Sequence, residues 1–238
     1  MIESPHNEKL KLARKLHERR HREREDAFLS EGEDLLEAGL AAGAEPRFVL
    51  VAAGSGLEGE EVAPDLLAAV SSLGSGTRAL AVWPRRWAER ATAPCLYLHG
   101  IGDPGNVGTI VRTSQALLGG TVVLGAGCAD PFSPKAVRAS MGSIFGQAVI
   151  QAEVGATPTP RVACVAHGGG GLSAVEGAAT VCLGAEREGL PVEVLAACEG
   201  QVTIPLRPGA ESLNVAAVAA ICAERISSLA MPEAGADD

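Results

Sequence analysis

The feature that most restricts the fold is the alternation of short apolar runs with helical patterns beyond Pro94. The apolar runs predict strands at 95–99, 121–124, 147–150, 161–166, 180–183 and 201–204. Between some of them, apolar residues recur at helical spacing, which predicts helices at 106–118, 134–140 and 212–230. Such alternation is typical of an α/β fold in which helices cover a parallel sheet. Only 3% of the residues are aromatic, so aliphatic side chains must fill the core.

The sequence before Pro94 predicts a smaller α/β unit. A charged helix from Asn7 to about Glu25 precedes a helix at 31–42 and a strand at 48–53. Residues 71–94 mix small residues, Gly and Pro around one short strand at 79–82, so we expect the domain boundary there. The expected division is a basic N-terminal helix at 1–24, a small α/β domain at 25–78, a linker at 79–93, a larger domain at 94–230 and a frayed tail at 231–238.

The charge is distributed unevenly. The net charge is −9, yet the first 24 residues carry eight Lys or Arg and four Glu. A basic leader on an acidic body indicates contact with nucleic acid. A solvated helix with paired charges gives the same pattern, so charge alone leaves both interpretations open.

Other classes of protein are disfavoured by what the chain lacks. It has no run of about 18 uncharged apolar residues and no hydrophobic signal core near Met1. We therefore expect a soluble, cytoplasmic protein without a membrane partner. The six cysteines lie far apart without a C-x-x-C pair, so we expect reduced, structural thiols and no bound metal.

The stretch "GIGDPGNVGTIVRTSQALLGG" joins a glycine-rich turn to a helix. Its G-x-G-x-x-G pattern, Gly100 to Gly105, is that of a dinucleotide site, but the next strand does not end in the acidic residue that such a site requires. A nicotinamide-dependent enzyme is therefore a distant alternative. On the helix, Arg112 lies opposite an apolar stripe and is free to face a ligand or solvent; the stripe comprises Val107, Ile110, Val111, Ser114, Leu117 and Leu118.

Two later stretches carry polar residues beside buried elements. In "TVCLGAEREGLP", Glu186 follows an apolar strand in a glycine turn, where backbone groups can face a ligand crevice. In "VTIPLRPGAESLNVAAVAAICAER", Ser212 and Asn214 begin a helix that carries no charge from Leu213 to Ala223. We expect that helix to be buried nearly all round, so Asn214 needs hydrogen-bond partners in the fold or in a ligand.

Three motifs in this order, "DPGNVGTIVRTSQALLGG", "LGAEREGLP" and "IPLRPGAESLNVAAVAA", resemble those of the SpoU/TrmH family of RNA ribose 2′-O-methyltransferases, in the SPOUT class. The resemblance covers about residues 94–230. The stretch "NEKLKLARKLHERRHREREDAFLSEGEDLLEAG" also resembles the family's substrate-binding domain. The implied fold is an α/β SPOUT domain with a parallel sheet, flanking helices and a trefoil knot, preceded by a small L30e-like α/β domain.

The resemblance also implies ligands, partners and site residues. S-adenosylmethionine would be the methyl donor, structured RNA (tRNA or rRNA) the substrate, and a homodimer would complete the site. The cofactor would be held largely by backbone at Gly184, Ile204, Leu206 and Leu213. The implied catalytic residues are Arg112, Asn106, Glu186, Ser212 and Asn214.

Arg112 has two possible roles in this chemistry. The family's proposed base is this arginine, but a guanidinium keeps its proton near neutral pH, so clamping the RNA phosphate beside the reacting ribose is an equal alternative. Two positions depart from the family's pattern: Arg187 and Pro208 stand where glycine is usual, which affects loop shape and substrate fit. A non-catalytic RNA-binding protein with the same fold is the main alternative function.

Overall fold

Two units, each with its own sheet, make up the computed structural model of the chain, which describes residues 1–73, 76–210 and 212–230. The mixed-sheet unit consists of Met1–Arg86 and Asp130–Gly146. The parallel-sheet unit consists of Trp87–Ala129 and the chain from Gln147 onward. The tail at 231–238, predicted to be frayed, lies outside the described residues.

The mixed-sheet unit has the strand order β1-β4-β2-β3. Strand β4 is antiparallel to β1 and to β2, whereas β2 and β3 are parallel. The elements are α1 Glu8–Lys15, α2 Arg19–Glu25, β1 Ala27–Glu31, α3 Glu33–Ala41, β2 Phe48–Ala52, β3 Glu60–Val62, α4 Pro64–Val70, β4 Ala79–Pro84 and α6 Pro134–Ala139.

The predicted basic helix at 1–24 is two helices, and they belong to this unit's core. Helix α1 ends at Lys15 and α2 begins at Arg19, so the helical structure is interrupted between them. The side chain of Asn7 caps α1 by accepting a hydrogen bond from the backbone N–H of Lys9. Leu10, Ala13 and Leu16 are fully buried in one cluster with residues of β1, β2, β4 and α4. These three apolar residues recur every three positions in a segment that is otherwise charged. The surrounding charges explain why the sequence predicted a separate basic helix at 1–24.

The predicted linker at 79–93 is also revised. Its first six residues form β4, which lies between β1 and β2 with Leu80 and Val82 buried. The Gly and Pro residues around this run suggested a linker, but pairing on both sides makes it an interior strand. The remaining residues, from Trp87, belong to the parallel-sheet unit.

Residues 130–146, predicted to belong to the larger domain, are part of the mixed-sheet unit. The ring centroids of Phe132 and Phe28 are 5.1 Å apart, and those of Phe145 and Trp83 are 4.6 Å apart. The indole of Trp83 donates to the hydroxyl of Ser30 at 2.8 Å and is 1% exposed. Phe28, Phe132 and Trp83 are buried and Phe145 is half-buried, so the segment is a core component of this unit.

A buried ion pair joins the segment to α2. The Nε of Arg22 donates to Oδ2 of Asp130 at 2.7 Å, and both residues are buried. The guanidinium also donates to the carbonyls of Leu16 and His17. Arg22, counted in the basic leader, is therefore a structural residue whose guanidinium makes three hydrogen bonds inside the protein.

The parallel-sheet unit has the strand order β10-β8-β9-β5-β6-β7, and each neighbouring pair is parallel. The predicted parallel α/β architecture is confirmed. Its elements are β5 Cys95–Leu98, α5 Pro104–Leu117, β6 Thr121–Leu124, β7 Ala148–Gln151, β8 Arg161–Cys164, β9 Thr180–Leu183, α7 Val192–Ala196, β10 Gly200–Val202 and α8 Val215–Ala230. Helices α5 and α8 pack together.

The two long helices differ from prediction in detail. On α5 the stripe from Val107 to Ser114 is buried and Arg112 is exposed, as expected, but Leu117 is 38% exposed because the helix ends there. Helix α8 begins at Val215 and is not buried all round, since Ala217 is exposed. No helix in the described part of the chain is long and apolar enough to cross a membrane.

We predict that Arg22→Gln or Asp130→Asn lowers the free energy of unfolding by about 3–5 kcal/mol, because each leaves the partner's charge buried and unpaired. Arg24→Gln is the control, since Arg24 pairs with Glu25 at the surface, and its effect should stay within about 0.5 kcal/mol. Urea denaturation followed by circular dichroism measures both. A loss below about 1 kcal/mol for both buried-pair variants would contradict this role.

Candidate active site

A cavity of about 350 Å³ lies beyond the carboxyl ends of β8, β9 and β10 in the parallel-sheet unit. The carboxyl edge of a parallel sheet is where ligands bind in open α/β folds. Each strand contributes the residues that follow it: Val165 and Ala166 after β8, Gly184 and Glu186 after β9, and Ile204 after β10. Helix α8 completes the wall with Val215 and Val218.

All four residues predicted to hold a cofactor line this cavity: Gly184, Ile204, Leu206 and Leu213. They come from two stretches about twenty residues apart in the chain, which the sheet brings to one edge. Most of the lining side chains are aliphatic, and Glu186, Arg187 and Glu188 add charged groups, so the cavity suits a ligand with both an apolar and a polar part.

The turn at 184–190 is shaped by close backbone contact. A Cβ on Gly184 would lie 2.3 Å from the carbonyl carbon of Gly189 and 2.6 Å from the nitrogen of Leu190. The N–H of Gly189 donates to the carbonyl of Ala185 at 2.9 Å, and Gly189 has a φ of +69°. This tight turn holds Glu186 and Arg187 at the cavity.

Three of the predicted catalytic residues form one hydrogen-bonded cluster. The amide of Asn106 donates to Oε1 of Glu186 at 3.1 Å, and the amide of Asn214 donates to the same oxygen at 3.3 Å and to Oδ1 of Asn106 at 3.0 Å. Glu186 and Asn214 are exposed and Asn106 is half-buried, so a ligand can reach the cluster. We call Asn106, Glu186 and Asn214 the polar triad.

The ends of α5 and α8 orient two members of the triad. Asp103 caps α5, and its carboxylate accepts from the backbone N–H of Asn106 at 3.0 Å. Oδ1 of Asn214 accepts from the N–H of Ala216 at 2.8 Å at the start of α8. Asn214 is thus exposed rather than buried, and it finds its partners in this cap and in the triad.

The other two predicted catalytic residues lie apart from the triad. Ser212 lines the cavity and is exposed. Arg112 is exposed on α5, two turns beyond the start of the helix, and does not line the cavity. Within the described residues, Arg112 has no hydrogen bond or ion pair.

One thiol borders the cavity. Cys164, at the end of β8, has its sulfur 3.5 Å from that of Cys222 on α8. The hydrogen bond to Cys222 and burial raise the pKa of Cys164, so it stays protonated at neutral pH and contributes to the wall as an apolar group. All six cysteines are free.

The loop after β8 is the part of the site that the sequence did not reveal. Four consecutive glycines, as in the stretch "VAHGGGG", are typical of a flexible connection, yet Val165 and Ala166 form one wall of the cavity. Its place directly after a buried parallel strand was the available signal, because the same argument had singled out Glu186 after β9.

The sequence profile of the SpoU rRNA Methylase family matches residues 93–224, which is more than half of the chain. The chain belongs to the SpoU rRNA methylase family. Residues 7–79 match the MRM3-like substrate binding domain. The family match includes the segment 130–146, which the structure groups with the mixed-sheet unit.

Individual proteins agree with the family assignment. The chain is 31% identical to the 23S rRNA (guanosine(2553)-2′-O)-methyltransferase RlmP of Bacillus subtilis over 92% of its own length and 96% of that relative. An RNA 2′-O ribose methyltransferase structure is 27% identical, with a TM-score of 0.75, and covers 94% of this chain and 96% of that one. The AdoMet-bound rRNA methyltransferase of Sinorhizobium meliloti shares the fold, with a TM-score of 0.83, 24% identity and coverage of 97% and 98%.

We predict that Gly184→Ala lowers the free energy of unfolding by about 1–3 kcal/mol, because the added methyl group overlaps the backbone at Gly189. Gly177→Ala is the control: its Cβ meets nothing within 4 Å. That control should be neutral or stabilising by up to about 1 kcal/mol. Equal stability of the two variants in denaturant titrations would contradict the tight turn.

Proposed function

We propose that this chain transfers the methyl group of S-adenosylmethionine to a ribose 2′-hydroxyl of rRNA or tRNA. The observation that carries the proposal is the shared edge of the sheet: the four residues matched to cofactor binding line one cavity, and Glu186 in its wall bonds to Asn106 and Asn214. The curated relative in Bacillus subtilis is named for this reaction on 23S rRNA.

The cavity fits the proposed cofactor in size and character. Pockets for molecules of this class span about 300–1,000 Å³, and this one is about 350 Å³. Its aliphatic wall suits an adenosyl group, and the backbone groups of residues 184–186 and 204 can fix its orientation. When bound, the sulfonium supplies an electrophilic methyl group.

The polar triad would orient the substrate. A ribose hydroxyl is a weak nucleophile, so the reaction depends on holding it in line with the donor and accepting its proton during attack. Glu186 uses one carboxylate oxygen to hold both amides of the triad, which fixes which way Asn106 and Asn214 face. Its second oxygen makes no hydrogen bond among the described residues, so it would accept the hydroxyl proton during attack. The hydroxyl of Ser212 would contact the ligand.

Arg112 would act on the RNA phosphate. A guanidinium keeps its proton near neutral pH and binds phosphate through two parallel N–H groups. Its exposure and its lack of a partner among the described residues leave both groups available. Clamping the phosphate beside the reacting ribose therefore fits Arg112 better than service as a base.

The homodimer and the trefoil knot are part of this proposal. Arg112 does not line the cavity of its own chain. In a homodimer, Arg112 of one chain can serve the cavity of the other, so two chains would complete each site. RNA as substrate also makes the cytoplasm the expected location.

The mixed-sheet unit would grip RNA through phosphate. Residues 7–79 match a substrate-binding domain, which supports this division of labour. Many cations of the basic leader have a carboxylate partner, including Lys11, Arg19 and Arg24. Arg14 and Lys15 are exposed, and their side chains make no hydrogen bond or ion pair within the described residues, so they are the best candidates for phosphate contact.

Purified protein should transfer labelled methyl groups to rRNA or tRNA from cells that lack the gene, and mass spectrometry should place each at a ribose 2′-oxygen. Arg112→Ala should lower kcat by about 10², because without the phosphate clamp the ribose hydroxyl is no longer held in line with the methyl donor. Arg225→Ala is the matched control: Arg225 is an exposed cation that pairs with Glu176. Its kcat should not change.

The outcomes separate the two candidate functions. If the protein bound RNA but neither transferred methyl groups nor bound S-adenosylmethionine in calorimetry, it would be the non-catalytic RNA-binding protein. Full activity of Arg112→Ala would leave methyl transfer standing and remove Arg112 from the mechanism.

We predict that the double variant Arg14→Ala, Lys15→Ala weakens RNA binding. The plot of the logarithm of the association constant against the logarithm of the salt concentration should become less steep by about 2, since each phosphate contact contributes about 0.9. Filter binding at several salt concentrations measures the slope. Arg24→Ala, which removes a cation already paired with Glu25, should leave it unchanged. An unaltered slope in the double variant would show that these cations do not contact phosphate.

A further inference from the structure

The glycine loop, residues 165–171, is held against β10 by backbone hydrogen bonds. The N–H of Gly170 donates to the carbonyl of Gln201 at 2.9 Å, and the N–H of Thr203 donates to the carbonyl of Gly170 at 3.0 Å. At the start of the loop, the N–H of Val165 donates to the carbonyl of Val202 at 2.9 Å. The loop is therefore an ordered wall rather than a free connection.

One side chain joins both ends of this loop. The hydroxyl of Thr203 accepts from the N–H of Gly169 at 2.9 Å and donates to the carbonyl of Val165 at 3.1 Å. A hydroxyl has a single proton to donate, and here that proton and a lone pair are both used inside the protein. Thr203 thus closes the loop on itself and on β10.

The backbone approaches Thr203 too closely for any residue but glycine at position 169. A Cβ on Gly169 would lie 2.5 Å from the carbonyl carbon of Val202 and 2.8 Å from the Thr203 hydroxyl oxygen. This is a second observation, independent of the hydrogen bonds, that the loop is seated on Thr203. It also explains on steric grounds why one position of the "GGGG" run must be glycine.

Thr203 lies beside the cavity without forming its wall. Its chain neighbours Val202 and Ile204 line the cavity, as do Val165 and Ala166 of the glycine loop, but Thr203 is not among the described lining residues. Its hydroxyl can therefore affect a ligand only by changing the positions of the glycine loop and of the end of β10.

We propose that Thr203 is a positioning residue for the cofactor: its hydroxyl sets the spacing between the glycine loop and β10, and with it the width of the cavity. This inference rests on the proposed function, since it takes the cavity to be the S-adenosylmethionine site. Thr203 touches neither cofactor nor RNA in this account, so its loss affects cofactor binding and leaves the chemical step unchanged.

The test compares Thr203→Val, which removes both hydrogen bonds at nearly constant shape, with Thr203→Ser, which keeps them. Thr203→Val should raise the dissociation constant for S-adenosylhomocysteine and the KM for S-adenosylmethionine about tenfold. Without one or two net hydrogen bonds the loop leaves its position in the free variant, and the ligand must restore that position on binding. The kcat at saturating cofactor and the KM for RNA should stay within about twofold. Thr203→Ser should restore the parental values.

Thr157→Val is the matched control. The Thr157 hydroxyl also makes two hydrogen bonds in the same unit, donating to Val154 at 2.8 Å and accepting from Arg161 at 2.9 Å, but Thr157 does not line the cavity. This variant should be less stable to heat with an unchanged dissociation constant. If both variants weakened cofactor binding equally, Thr203 would have only a general structural role and the proposal would be wrong.

The remaining outcomes separate this inference from the proposed function. If the parent protein bound S-adenosylhomocysteine and Thr203→Val bound it equally well, the inference alone would fail. If the parent protein bound none, both would fail. Hydrogen exchange of the parent protein is a further test, and it does not require any variant to fold. The amides of Gly169 and Gly170 should exchange slowly. Exchange at the rate of an unstructured chain would overturn the proposal.

Discussion

The site depends on one carboxylate, that of Glu186, which accepts hydrogen bonds from the amides at the starts of two helices. Asn106 and Asn214 are 108 positions apart, yet they bond to each other and to the same Glu186 oxygen. Glu186 reaches them because the turn after β9 is tight, and the turn is tight because Gly184 lies directly against Gly189. The absence of one Cβ thus determines where three polar side chains meet.

The parallel sheet supplies the rest of the site. Because β8, β9 and β10 run in the same direction, the segments that follow them lie at one edge and enclose one cavity. In the mixed-sheet unit a different constraint operates. The chain leaves the parallel-sheet unit after Ala129, and the pairing of Arg22 with Asp130, together with the burial of Phe132, incorporates the next segment into the other core.

The sequence predicted the elements whose signal is local. The strands at 121–124 and 180–183 were predicted to the residue, and the parallel architecture followed from their alternation with helices. Strand β3 was missed because its three residues include only one apolar side chain, and α4 and α7 were missed because they span at most two turns, too few to show helical periodicity. The incorporation of residues 130–146 into the mixed-sheet unit depends on packing between distant segments, which no local pattern expresses.

The motifs, more than any sequence pattern alone, singled out the residues of the candidate site. The family resemblance named the polar triad and the four cavity residues, and the structure brings both sets to one edge. It could not show that Asn214 would be exposed, that Arg112 would stand apart from the cavity, or that Thr203 would hold the glycine loop. These facts arise from tertiary contacts, which the composition of the glycine run does not indicate.

A crystal structure of the protein with S-adenosylhomocysteine is the most direct test of the central claim. The account predicts the ligand in the cavity between the 184–190 turn and the glycine loop, with its sulfur directed toward Glu186 and the polar triad intact. Ligand bound elsewhere, or bound there with its sulfur directed away from the triad, would contradict it.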